Sequence, residues 1–213
     1  MTPLPPPPPP AHIRTWPDRP ALLADRARAL DHLVHAQLAP GRLLLLWLLS
    51  ALTALGWVFA VLGLEAAADG GVVRYLHAAA FLALAGCAAV PSVLGLASGL
   101  RKDRRARERL RRWAALDRDP YGDRAYRAAG LTRLWLLMSL LPSAGAVIVA
   151  GAYVAEVSSR PLGEIDGSTY AYAVGLTASL AFPGTQGLAK ALAHRRWARG
   201  MEGGEAGPVP RHV

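Results

Sequence analysis

Four long charge-free blocks constrain this chain more than any other feature: Leu43–Leu64, Tyr75–Leu100, Leu134–Ala155 and Gly167–Ala189. Each is longer than the ~20 residues that cross a ~30 Å hydrocarbon layer as helix. A backbone in hydrocarbon must satisfy its own polar groups, and a helix does so within one segment. The expected fold is therefore all-α, a polytopic integral membrane protein with four transmembrane helices. The first apolar run starts too deep and runs too long for a cleavable leader.

Charge sets the expected orientation. The chain carries 24 Lys and Arg against 15 Asp and Glu, a net +9. In a soluble protein such an excess points to nucleic acid. Here 22 of the basic residues lie before the first block, between the second and third, or after the fourth; only Arg74 and Arg160 lie in the other two loops. The positive-inside rule places both termini and the central loop in the cytoplasm, so no nucleic-acid partner is expected. Only two of the 24 are lysines, which fits a GC-rich bacterial genome and a bacterial inner membrane.

The order expected along the chain follows. Residues 1–20 form a Pro-rich tail, with Pro3 and Pro5 to Pro10. Such a run favours polyproline II and builds no core, so it reads as disordered, or else as a docking motif for an aromatic groove. Residues 21–40 form an amphipathic helix with Leu23, Ala27, Leu30, Val34 and Leu38 on one face and Arg26 among the polar residues that take the rest. Residues 41–100 form a first hairpin, with spans at 43–64 and 72–100 joined at Gly70-Gly71. Residues 101–133 form a basic loop, and 134–193 a second hairpin with spans at 134–157 and 168–192. Residues 194–213 form a basic, then loose, tail.

The two hairpins read as copies. Pro91-Ser-Val-Leu-Gly-Leu-Ala-Ser-Gly-Leu100 recurs as Pro183-Gly-Thr-Gln-Gly-Leu-Ala-Lys-Ala-Leu192. Small residues occur at spacing four in both copies: Ala83, Cys87, Pro91, Gly95 and Gly99 match Gly175, Ser179, Pro183, Gly187 and Ala191. Both copies start on the same side, so the hairpins are expected in tandem and parallel, with a pseudo-two-fold along the membrane normal. Small stripes let helix backbones approach in lipid. These ten residues are thus helix-packing candidates, and the second and fourth spans are expected to meet.

Candidate chemistry is sparse. No charged residue lies deep in a span, whereas coupled transporters and membrane metalloenzymes need such groups. His32 and His35 lack a third ligand, the lone Cys87 can form no intrachain disulfide, and Asp117 and Asp119 sit in a Pro-Gly turn without the closing glutamate of a calcium loop. No cofactor, metal or catalytic residue is expected, and the chain is not read as an enzyme. The candidate polar site comprises Gln186, in the inner third of the fourth span, and the paired outer acids Glu65 and Glu156. The candidate lipid-contacting residues are Arg101, Lys102, Arg104, Arg105, Arg109 and Arg112.

The functional expectation is a non-enzymatic structural or assembly subunit. It would engage anionic lipid, a protein partner or a second copy at the cytoplasmic face. The alternative is a small transporter or pore subunit, its path near the second and fourth spans.

Overall fold

The structure, a computed structural model, describes residues 4–9, 16–117, 119, 123, 129–160 and 167–202. All regular structure among them is helical: α1 (Arg19–Leu38), α2 (Pro40–Ala68), α3 (Val72–Ala114), α4 (Ala129–Ser159) and α5 (Gly167–Glu202). Three stretches are long and apolar enough to cross a membrane: Arg19–Ala68, Val72–Ala114 and Gly130–Ser159. The fourth expected span is a helix, α5, but is not among them. Its Thr169, Thr177, Ser179, Thr185 and Gln186 dilute the apolar signal.

Two compact units divide the chain. The apolar unit comprises Gly41–Leu100 and Trp135–Leu188; the basic unit comprises Met1–Pro40, Arg101–Leu134 and Ala189–Val213. Their surfaces obey opposite rules. In the apolar unit Leu44, Leu64, Leu76, Leu94, Leu137 and Val147 are all more than 60 % exposed. Contiguous apolar exposure on that scale marks a membrane or interaction surface. In the basic unit Leu30, Leu33, Val34, Leu38, Ala106 and Leu110 are buried. That unit has a core of the kind water selects.

In the apolar unit α2 and α3 are joined by the expected glycine turn. Gly70 and Gly71 have φ of 72° and 91°, values that a Cβ disfavours, and Asp69 pairs with Arg74 across the turn. The two helices pack through α2. A Cβ on Gly56 would lie 2.9 Å from both the Cβ and the backbone N of Ala89, and one on Gly63 would lie 3.0 Å from Leu82. The Thr53 and Ser92 hydroxyls lie 3.0 Å apart and share a hydrogen bond in which one donates to the other; the accepting hydroxyl keeps its own proton for a carbonyl one turn back, Leu49 for Thr53 or Ala88 for Ser92. α4 and α5 pack through α5: Gly184 faces Ser143, and Gly187 faces Ser139 and Trp135. Trp57 of α2 also meets α5, facing Gly175 and donating to the Ala171 carbonyl at 2.8 Å.

These contacts redistribute the small stripes. Gly95 of α3 faces Leu49 of α2, and Gly99 has open space around it. Ala83, Cys87, Pro91 and Gly99 are exposed, whereas Gly175, Pro183, Gly187 and Ala191 are buried and Ser179 is half-buried. In the apolar unit the packed glycines of α3 and α5 thus face α2 and α4, not each other. α3 and α5 are tied in the basic unit, where the Lys190 ammonium donates to Asp103 at 2.7 Å.

Candidate functional site

The basic unit holds the residues with the most chemistry. Its first element, α1, is capped by Asp18, whose side chain accepts from the Ala21 N–H at 2.8 Å. Pro20 lies in the first turn, where a missing N–H costs nothing. Pro40 confines Ala39 to φ −52° and ψ 131°, outside the helical region, and this separates α1 from α2.

α1 turns a different face inward from the one its apolar pattern indicates. The buried residues are Arg26, Ala29, Leu30, Leu33, Val34, Gln37 and Leu38, while Leu23 and Ala27 are half-exposed. The helix is rotated by roughly 60° toward Arg26 and Gln37, given 100° per residue. The physical reason is Arg26. Its Nη1 and Nη2 donate to the two Asp123 oxygens at 2.5 and 3.0 Å, and the side chains are 2 % and 5 % exposed. A bidentate guanidinium–carboxylate pair is among the few arrangements that let two charges leave water. Arg19 adds an exposed pair with Asp117 at the same end. The Asp117 carboxylate, by hydrogen bond and by charge, holds the Arg19 guanidinium more firmly protonated than usual.

The basic run is helical throughout, because α3 continues unbroken to Ala114. Its inner face is Ala106, Leu110, Trp113 and Ala114, all buried. Arg101, Lys102, Arg104, Arg105, Arg111 and Arg112 are exposed. Positions 101, 104, 105, 111 and 112 fall within one stripe opposite that inner face at 100° per residue. Glu108 is the exposed acid in that stripe.

Arg109 leaves the candidate lipid-contacting set. It is half-buried, and its Nη1 donates to the carbonyls of Leu4 and Pro5 at 3.1 and 2.6 Å. The Trp113 indole N–H donates to the Pro6 carbonyl at 3.0 Å. Leu4, Pro5 and Pro6 thus lie against α3, in a stretch that the run of prolines marks as a disordered tail or a docking motif. Trp16 meets Trp113 edge-on, with ring centroids 6.4 Å apart and planes at 69°. The Trp16 indole donates to Asp25 at 2.9 Å.

That hydrogen bond from Trp16 is the main reason the Asp25 carboxyl titrates below its ordinary 3.8; partial burial opposes it, and Arg28 assists. A carboxyl depressed by folding stabilises above its unfolded value and loses that contribution as pH falls through the folded one. The Trp16 anchor should therefore hold at and above pH 3.8 and loosen below it. In Trp16→Phe the Asp25 carboxyl, followed by its 13C resonance, should titrate closer to 3.8. An unchanged midpoint would mean that the indole does not set it.

The remaining candidates are dispersed. Gln186 is half-buried on α5. Glu65 lies 3.5 Å from the Tyr172 hydroxyl, while exposed Glu156 pairs with Arg160 one turn along its own helix. The two outer acids therefore stand in different settings. Among the described residues no three of His, Cys, Asp and Glu converge as a metal site. Asp123 and Lys190 were invisible as site residues, since no local pattern announces a partner about 90 positions away. No protein-family model, curated protein or solved structure matches the chain.

Proposed function

We propose that the protein is a non-enzymatic membrane scaffold whose basic helix lies against anionic lipid headgroups. The observation that carries this reading is the exposed stripe of Arg101, Arg104, Arg105, Arg111 and Arg112, set opposite a buried apolar face. Near an anionic leaflet each such cation contributes about 1 kcal/mol, screened by salt. In this reading all four of α2 to α5 span the membrane as tandem hairpins, with both termini on the cytoplasmic side of a bacterial inner membrane. Two features support that topology: the glycines at equivalent positions, Gly95 and Gly187, each face the preceding helix, and the basic residues segregate to one set of loops.

The test uses the full chain in nanodiscs of phosphatidylcholine with increasing phosphatidylglycerol. A nitroxide at position 108 (Glu108→Cys in a Cys87→Ser background) should become less accessible to water-soluble relaxation agents as phosphatidylglycerol rises. Replacing Arg104, Arg105 and Arg112 by Gln removes about 3 kcal/mol of attraction. Roughly a hundredfold weaker dependence on anionic lipid should follow. Indifference of the parent chain to phosphatidylglycerol would refute the reading, and a stoichiometric co-purifying protein held by the same arginines would replace lipid with a protein partner. Solute flux through the purified chain in liposomes, lost in Gln186→Leu, would replace the scaffold with a small transporter.

A further inference from the structure

A polyproline II segment has three residues per turn, a 3.1 Å rise and no internal hydrogen bonds, so its carbonyls point out and stay available. Proline has no N–H, so a protein can recognise such a strand only by donating to those carbonyls and by packing on the rings. A receptor must therefore offer donors that accept nothing, beside a flat apolar wall. Arginine and tryptophan are the side chains that meet both needs.

The basic unit presents this combination. Arg109 and Trp113 are four residues apart on α3, hence on one face. Neighbours at that spacing stand ~6 Å apart, which is two residues of polyproline II. The hydrogen bonds follow that register: the Arg109 guanidinium reads the Leu4 and Pro5 carbonyls, and the Trp113 indole reads Pro6. Three consecutive carbonyls are satisfied by side chains on a single helix face. Trp16 stands edge-on to Trp113 as a second indole and is held there by Asp25.

We propose that Arg109, Trp113 and Trp16 form a receptor groove for a polyproline II segment, with Leu4–Pro9 as its resident ligand, exchangeable for a proline-rich peptide supplied in trans. This site is separate from the exposed arginine stripe, since Arg109 faces the tail. A stretch of prolines loses little conformational freedom on binding, so few contacts suffice to hold it. The covalent link that holds it in cis sets the concentration a competitor must exceed, of order mM for a link of a few residues.

The experiment uses the full chain in detergent micelles with a nitroxide at position 8 (Pro8→Cys in a Cys87→Ser background). The parent should give an immobilised spectrum. A synthetic decapeptide of residues 1–10, at several times the ~mM effective concentration of the tether, should free the label. A decapeptide with alternate prolines replaced by glycine should need about tenfold more, because it must be ordered first. Trp113→Ala should free the label without peptide. Arg109→Gln, at a half-buried position, should weaken retention while the rest of the unit stays folded. The competition arm leaves the groove unaltered, so misfolding cannot imitate it. A label already mobile in the parent overturns the proposal. So does equal displacement by both peptides, which would be non-specific. Release by Trp113→Ala but by neither peptide also overturns it, because the contact is then a fixed packing seam.

Discussion

Arg26→Met and Asp123→Asn should each destabilise the basic unit by about 3–5 kcal/mol, the cost of leaving one buried charge or its donors without a partner. The pair is bidentate and nearly free of water, so the surviving partner has nowhere to turn. Native-state hydrogen exchange of the full chain in micelles is the suitable measurement, because openings confined to one unit are read amide by amide. Amides of α1 from Ala29 to Leu38 should exchange at least about 100-fold faster in either single variant. The double variant should exchange more slowly than the worse single one, since an uncharged pair removes the penalty that each single change exposes. Single variants with unaltered α1 exchange would mean that the pair does not hold α1 in place.

Gly56→Ala should destabilise the apolar unit by about 1–3 kcal/mol. The added Cβ would meet the Ala89 backbone N at 2.9 Å and the Ala85 carbonyl at 3.1 Å. Backbone atoms of a packed helix cannot step aside as a side-chain tip can, so α2 and α3 must separate. In a membrane that separation also loses the close contact on which helix association depends. Gly86→Ala is the matched control: it sits in the same helix pair with nothing within 4 Å. It should be neutral or slightly stabilising through better helix propensity. Unfolding of the full chain by SDS in mixed micelles separates the two. Equal midpoints for Gly56→Ala and Gly86→Ala would show that the close approach at Gly56 is not needed.

The five helices were legible to differing degrees, for physical reasons. Long charge-free blocks and the Gly70-Gly71 turn placed α2 and α3, and three helices do have the length and apolarity to cross a membrane. α5 was legible as a helix, but its Ser, Thr and Gln content weakens it as a span. The inward face of α1 was misread because periodicity counts Arg26 and Gln37 as polar and so as outward; only Asp123, distant in sequence, makes Arg26 an inward residue. Small residues on α3 and α5 stood out at spacing four, but Gly56 and Gly63 on α2, at spacing seven, did not. Packing is a property of two surfaces, and one sequence shows only one at a time. Trp113 carries no local signal of its role, because nothing in the charged run around it reveals that Pro6, more than a hundred positions away, lies against it.

The proline strand also dictates how it can be observed. Of Leu4–Pro9 only Leu4 carries a backbone N–H, so amide-detected spectroscopy and deuterium uptake are nearly blind to whether the strand is seated. The signal sits instead on the receiving side. The indole N–H of Trp113 donates to Pro6, and a chain with one of its six tryptophans labelled would report occupancy as a shift in a single resonance.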